Sequence, residues 1–275
     1  MKWNYPIYTA AFLLLTGCNS LTPTAQDEPN EPGQLNQPFT EQSSESMVLN
    51  EFGTEIQQDA SPEEVIRETE NDLNTGVPVK LPASINVTPD YHLTAMTTSE
   101  QKHYEVMFYE TEQSIPINDK KLTNMNFSTV TLKATRYETP ELAAKQIDHQ
   151  LHSENGAQSV DLGFGIKGYR DAGAGSQFMG WNEGRWSLSM RSTTQQGDEI
   201  VGESKKVVQF LEENTLPIPH ELGAVKVDVS DASGKTIQHI AWQEDAVVYE
   251  IQTSKSMLDA LQIAVSIHEK DLAND

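Results

Sequence analysis

The chain has 275 residues, with 41 acidic against 19 basic side chains and a net charge of −22. That balance offers no basic footprint for a nucleic acid, and it repels anionic lipid heads and anionic wall polymers unless polyvalent cations bridge them. A single cysteine, Cys18, excludes an internal disulfide and a cysteine-ligated zinc site.

In chain order, the first element is an apolar run over residues 7–15, broken only by Thr9 and preceded by Lys2. It is too short to cross a bilayer core, which takes about 20 residues, and has the length of a signal-peptide core. The run closes on Leu15-Thr16-Gly17-Cys18, which resembles the lipobox of bacterial lipoproteins. The resemblance implies that residues 1–17 are a signal peptide cleaved before Cys18. It further implies a diacylglycerol with palmitate-type chains on the Cys18 sulfur. The chain would then be held on the extracytoplasmic face of the plasma membrane. Two acyl chains hold a soluble body where one would release it, at about 0.8 kcal/mol per buried methylene.

Residues 18–80 read as an acidic tether. Residues 19–80 carry 13 acids and only two bases, Arg67 and Lys80. Low hydrophobicity with high charge cannot bury enough surface to offset chain entropy. Ser61-Pro62-Glu63-Glu64 is a local exception, with a capping serine, a proline at the first helical position and a capping-box glutamate. It predicts a short helix to about residue 73.

Residues 81–216 read as a larger lobe. Residues 103–109 alternate like a half-buried strand, and residues 127–135 do so again. Thr139-Pro140-Glu141 opens a predicted helix to Asn155-Gly156, with Leu142, Ile147 and Leu151 on its apolar face. A strand pair interrupted by glycines covers residues 158–170. Residues 177–190 form a hairpin about Glu183-Gly184. Residues 199–213 read as a helix, and Leu216-Pro217-Ile218-Pro219 as a stiff connector.

Residues 217–275 read as a smaller lobe: a strand over 224–229, a hairpin over 236–251 and an amphipathic helix over 256–267. Phe178-Met179-Gly180-Trp181-Asn182-Glu183 aligns without gaps on His239-Ile240-Ala241-Trp242-Gln243-Glu244, which predicts a partial internal repeat with Trp181 and Trp242 in equivalent places. The fold class expected is therefore α+β, with antiparallel sheets each covered by a helix. Trp242-Gln243-Glu244-Asp245, Val248-Tyr249, Met257, Ala260-Leu261 and Ile263-Ala264-Val265-Ser266-Ile267 resemble a domain of unknown function. That domain recurs in lipoproteins and exported regulatory proteins of Gram-positive bacteria. The resemblance implies an exported α+β module related to envelope sensors and lipoprotein carriers. It brings no catalytic residues with it.

The polar motifs are weak. Gly163-Phe164-Gly165-Ile166-Lys167-Gly168 has dinucleotide-fingerprint spacing, but the residues after it do not open a helix. No nucleotide and no cofactor is therefore expected, and these glycines read as a bend where a partner backbone can come close. Gly234-Lys235-Thr236 lacks the earlier glycine of a phosphate loop. His149 and His152 share a helical face, but no further ligands converge on them. Ser176 fails the spacing of a nucleophile elbow. Trp186, beside Arg185 at a hairpin turn, belongs to a pair of residue types enriched at interfaces. The reading is a non-catalytic binding or sensing module of the cell envelope, anchored through Cys18. Arg185, Trp186, Gly163 and Gly165 are its candidate contacts with an envelope protein or polymer. A carrier of an apolar ligand, with a cavity between sheet and helices, is the alternative, and an envelope hydrolase the second.

Overall fold

The computed structural model describes residues 59–230 and 236–274. Cys18 and the expected signal peptide, the expected tether through residue 58, and residues 231–235 lie outside the described residues. Among the described residues, four α-helices, α1 (Pro62–Asp72), α2 (Pro140–Ala144), α3 (Glu199–Glu213) and α4 (Met257–Asn274), accompany ten strands. The strands are β1 (His92–Glu100), β2 (His103–Thr111), β3 (Val130–Arg136), β4 (Gln158–Gly163) and β5 (Ile166–Gly173). They continue with β6 (Ser176–Glu183), β7 (Trp186–Thr193), β8 (Gly223–Asp228), β9 (Gln238–Glu244) and β10 (Val247–Thr253).

All ten strands form one mixed sheet in the order β1-β2-β3-β10-β9-β8-β7-β6-β5-β4. This corrects the expectation of separate antiparallel sheets, each under its own helix. Strands before and after the Pro217–Pro219 connector share that sheet, and β8, β9 and β10 are its middle. The chain between β7 and β8 carries α3, so β8 returns parallel to β7, as a helical crossover requires; every other pairing is antiparallel. The decisive partnership joins Ala134 to Tyr249, far apart in sequence, and no local pattern encodes it.

The expected internal repeat is not shown either. The hairpins β6–β7 and β9–β10 are members of one sheet with β8 between them, and their likeness is local. Trp181 and Trp242 are both buried, and a buried indole N–H needs an acceptor. Each donates to the glutamate two residues on, Trp181 to Glu183 at 2.6 Å and Trp242 to Glu244 at 2.8 Å.

Strand alternation divides the sheet into two faces. Ile240, Trp242, Tyr249 and Ile251 join Val106, Phe108, Trp181, Leu188 and Met190 in the main core. There they meet Val65 and Ile66 of α1, Val207 and Val208 of α3, and Leu261, Ala264 and Val265 of α4. The packed body thus starts ahead of the Leu81 expected from sequence: α1 carries the predicted capping box, and Val77 and Leu81 follow it into the core.

The other face is largely open. Among the described helices α2 alone packs on it, placing Ala143 and Ile147 against Ala224, Ala241 and Val248. The helix predicted through Asn155 stops at Ala144. Beyond it, residues 145–157 run as a strap from the centre of the sheet to the start of β4, at the far edge.

Candidate functional site

The strap and the open face enclose a groove of about 610 Å³ over β5 to β8. Two rows of cross-strand neighbours make its floor. Asp171, Phe178, Arg191 and Asp228 stand side by side in register, and behind them Tyr169, Gly180, Ser189 and Lys226. Along β6 the alternation sends Met179 and Trp181 into the core and leaves Phe178 and Gly180 outward.

The strap lies on the second row. The His152 ring rests on Gly180, where a β-carbon would stand 2.1 Å from Nδ1, so only glycine allows this approach. His152 Nε2 lies 3.2 Å from Ser189 Oγ. The Asn182 side chain accepts from His152 N–H at 2.8 Å and donates to Gln150 O at 2.8 Å. It thereby replaces main-chain bonds that a longer helix would have made. Lys226 pairs with Asp148 of the strap, and that bond is the chief reason the Asp148 pKa lies below the usual carboxylate value. Burial, then the neighbouring His149, pushes the His152 pKa below the ordinary histidine value.

The first row remains uncovered. Phe178 is 45% exposed, and Leu151 of the strap (85%) and Ile237 (55%) form the rims beside it. Three large apolar side chains therefore face water around one depression, an arrangement that marks interaction sites rather than scattered surface apolars. Arg191 donates to Asp228 at 2.7 Å, to Ser176 at 2.9 Å and to Ser230 at 3.2 Å. Burial alone would raise the Asp228 pKa, but its bonds from Ser230 and Arg191 outweigh this and lower it.

The contacts expected from sequence fall elsewhere. Trp186 is 8% exposed and donates to Pro217 O at 3.2 Å, while Arg185 donates to Pro219 O at 2.7 Å. Together they hold the connector, and both line a cleft of about 440 Å³ with Leu211 and Ile218. Gly163 and Gly165 flank Phe164 in the β4–β5 turn, and all three have positive φ (95°, 82° and 53°). The turn joins two strands, not a strand and a helix, and presents an exposed Phe164. Among the described residues, no cluster of three His, Cys, Asp or Glu side chains is placed to hold a metal ion. Sequence reasoning missed Phe178 and Gly180. The available signal was their outward phase in β6, with an aromatic and a glycine where polar residues are usual.

No family model matches the chain, and neither a curated protein nor a solved structure is similar to it.

Proposed function

We propose that this chain is a lipid-anchored extracytoplasmic lipoprotein acting as a non-catalytic binding module of the cell envelope, and that the groove beneath the strap is its binding surface. The groove carries the reading, because Leu151, Phe178 and Ile237 converge there exposed on the open face of the sheet. The anchor rests on the Leu15-to-Cys18 motif and the apolar run before it. Tyr104, Phe108, Trp181 and Trp242 fill the middle of the layer between sheet and helices, and the cleft beside α3 at Leu188 and Leu211 is the place in that layer where a carried apolar ligand would sit.

Hydrogen exchange on the full chain, with and without solubilised envelope of the bacterial host, tests the binding surface. Slowed exchange over residues 150–157 and in β6 and β7 is the expected result. Slowing confined to another surface, or none, refutes the groove. Intact mass tests the anchor: the mature chain should begin at a diacylglyceryl-modified Cys18, and Cys18→Ser should abolish both modification and membrane retention.

A further inference from the structure

We infer that the groove selects an extended polypeptide segment that is both cationic and apolar, with a lysine or arginine seated over Phe178 beside Asp171. The inference rests on the groove being the binding surface and adds the chemistry of the occupant.

Charge accounting within the groove supports it. The two bases of the floor are committed internally: Arg191 to Asp228, Ser176 and Ser230, and Lys226 to Asp148. Asp171 is different. Its carboxylate accepts only the adjacent Ala172 N–H at 2.7 Å and has no cationic partner among the described residues. The floor therefore offers an incoming group one unneutralised charge, and it is negative. It lies in register with Phe178, whose exposed ring attracts a cation through its quadrupole. An aromatic ring with a carboxylate alongside favours a basic side chain and disfavours an acidic one.

The rims set the rest of the chemistry. Leu151 and Ile237 are aliphatic and exposed, and they gain by covering with apolar side chains rather than with sugar hydroxyls. At long range, residues 81–275 carry 28 acids against 16 bases. Such a field draws a cationic partner in and turns an anionic one away.

The test uses the full chain in detergent and three fluorescein-labelled hexapeptides, alternating leucine with lysine, glutamine or glutamate, read by anisotropy. The lysine peptide should bind tightest, and added salt should weaken it. Phe178→Ser should weaken that peptide about tenfold and Asp171→Asn about three- to fivefold, the scale of a partly exposed cation–π contact and ion pair. The controls Phe164→Ser and Asp161→Asn, at the β4–β5 hairpin, should leave it unchanged. Equal loss, or none, across all four variants would mean attraction to the overall charge alone and overturns the inference. A glutamine peptide that binds as tightly as the lysine one and still depends on Phe178 also overturns it, while leaving the groove as the binding surface.

Discussion

Gly180→Ala is the sharpest test of how the strap is held. The new methyl would stand 2.1, 2.2 and 2.7 Å from Nδ1, Cε1 and Cγ of the His152 ring. Carbon contacts are comfortable at about 3.5 Å, so the ring must retreat by about 1.4 Å. The 3.2 Å approach of Nε2 to Ser189 Oγ does not survive that shift. Losing one net hydrogen bond costs about 1 kcal/mol, and lost ring contacts bring the total to about 1–2 kcal/mol. The reduced freedom of alanine in the unfolded chain returns about half a kcal/mol. For a body of this size, the net cost lowers Tm by about 2–5 °C. Urea unfolding of four chains closes the cycle: wild type, Gly180→Ala, His152→Ala and the double variant. In the His152→Ala background the methyl meets no ring, so Gly180→Ala should cost nothing or stabilise slightly. Equal costs in both backgrounds would show that Gly180 is not there for His152, and the account of the strap would fall.

Other consequences are open to measurement. The depressed pKa of His152 means that the unfolded chain binds its proton more readily than the folded one. Its contribution is therefore complete above the ordinary histidine value and lost as pH falls through the depressed one; His152→Ala should flatten that part of the stability–pH curve. Glu183 is the opposite case: burial pushes its pKa up, against the pull of the Trp181 N–H, so its ionisation is a burden at neutral pH. Glu183→Gln keeps an acceptor for Trp181 and should be neutral or stabilising by thermal unfolding at pH 7. Lys255 and Glu110 form an ion pair at 2.5 Å with side chains only 12% and 9% exposed. Lys255→Met strands the carboxylate and should cost about 3 kcal/mol, much of it recovered when Glu110→Gln is added. Trp186→Phe removes the N–H donated to Pro217 O and should speed amide exchange along residues 214–222 while leaving peptide binding in the strap groove intact.

Local chemistry was legible where local chemistry decides. Ser61-Pro62-Glu63-Glu64 announces α1 with its capping box, and residues 199–213 announce α3 to the residue. The β6–β7 and β9–β10 hairpins follow from alternation and a turn between the strands. What failed needed partners distant in sequence. Leu151 has helical spacing from Ile147, yet Asn182, thirty residues on, captures the main chain at Gln150 and His152 and draws the segment out as a strap. Trp186, expected as a candidate contact beside Arg185, is buried because the Pro217 carbonyl that takes its N–H comes from another element, while Arg185 stays exposed as it donates to Pro219 O. The site was hidden for the same reason: Asp171, Phe178, Arg191 and Asp228 become neighbours only when four strands align.

The placement of β8, β9 and β10 at the centre of the sheet has a temporal consequence. A chain emerging N-terminus first produces two flanks, β1–β3 and β4–β7, before the three strands that join them. Until then β3 and β7 each present an unpaired edge, and neither flank has its neighbour. Removing the last strands would therefore not trim the sheet at its rim but cut it into two pieces with bare inner edges, each a template for pairing with another chain. The chain from Gly223 onward acts as a keystone, and a chain lacking β10 should aggregate rather than fold into a smaller version of itself.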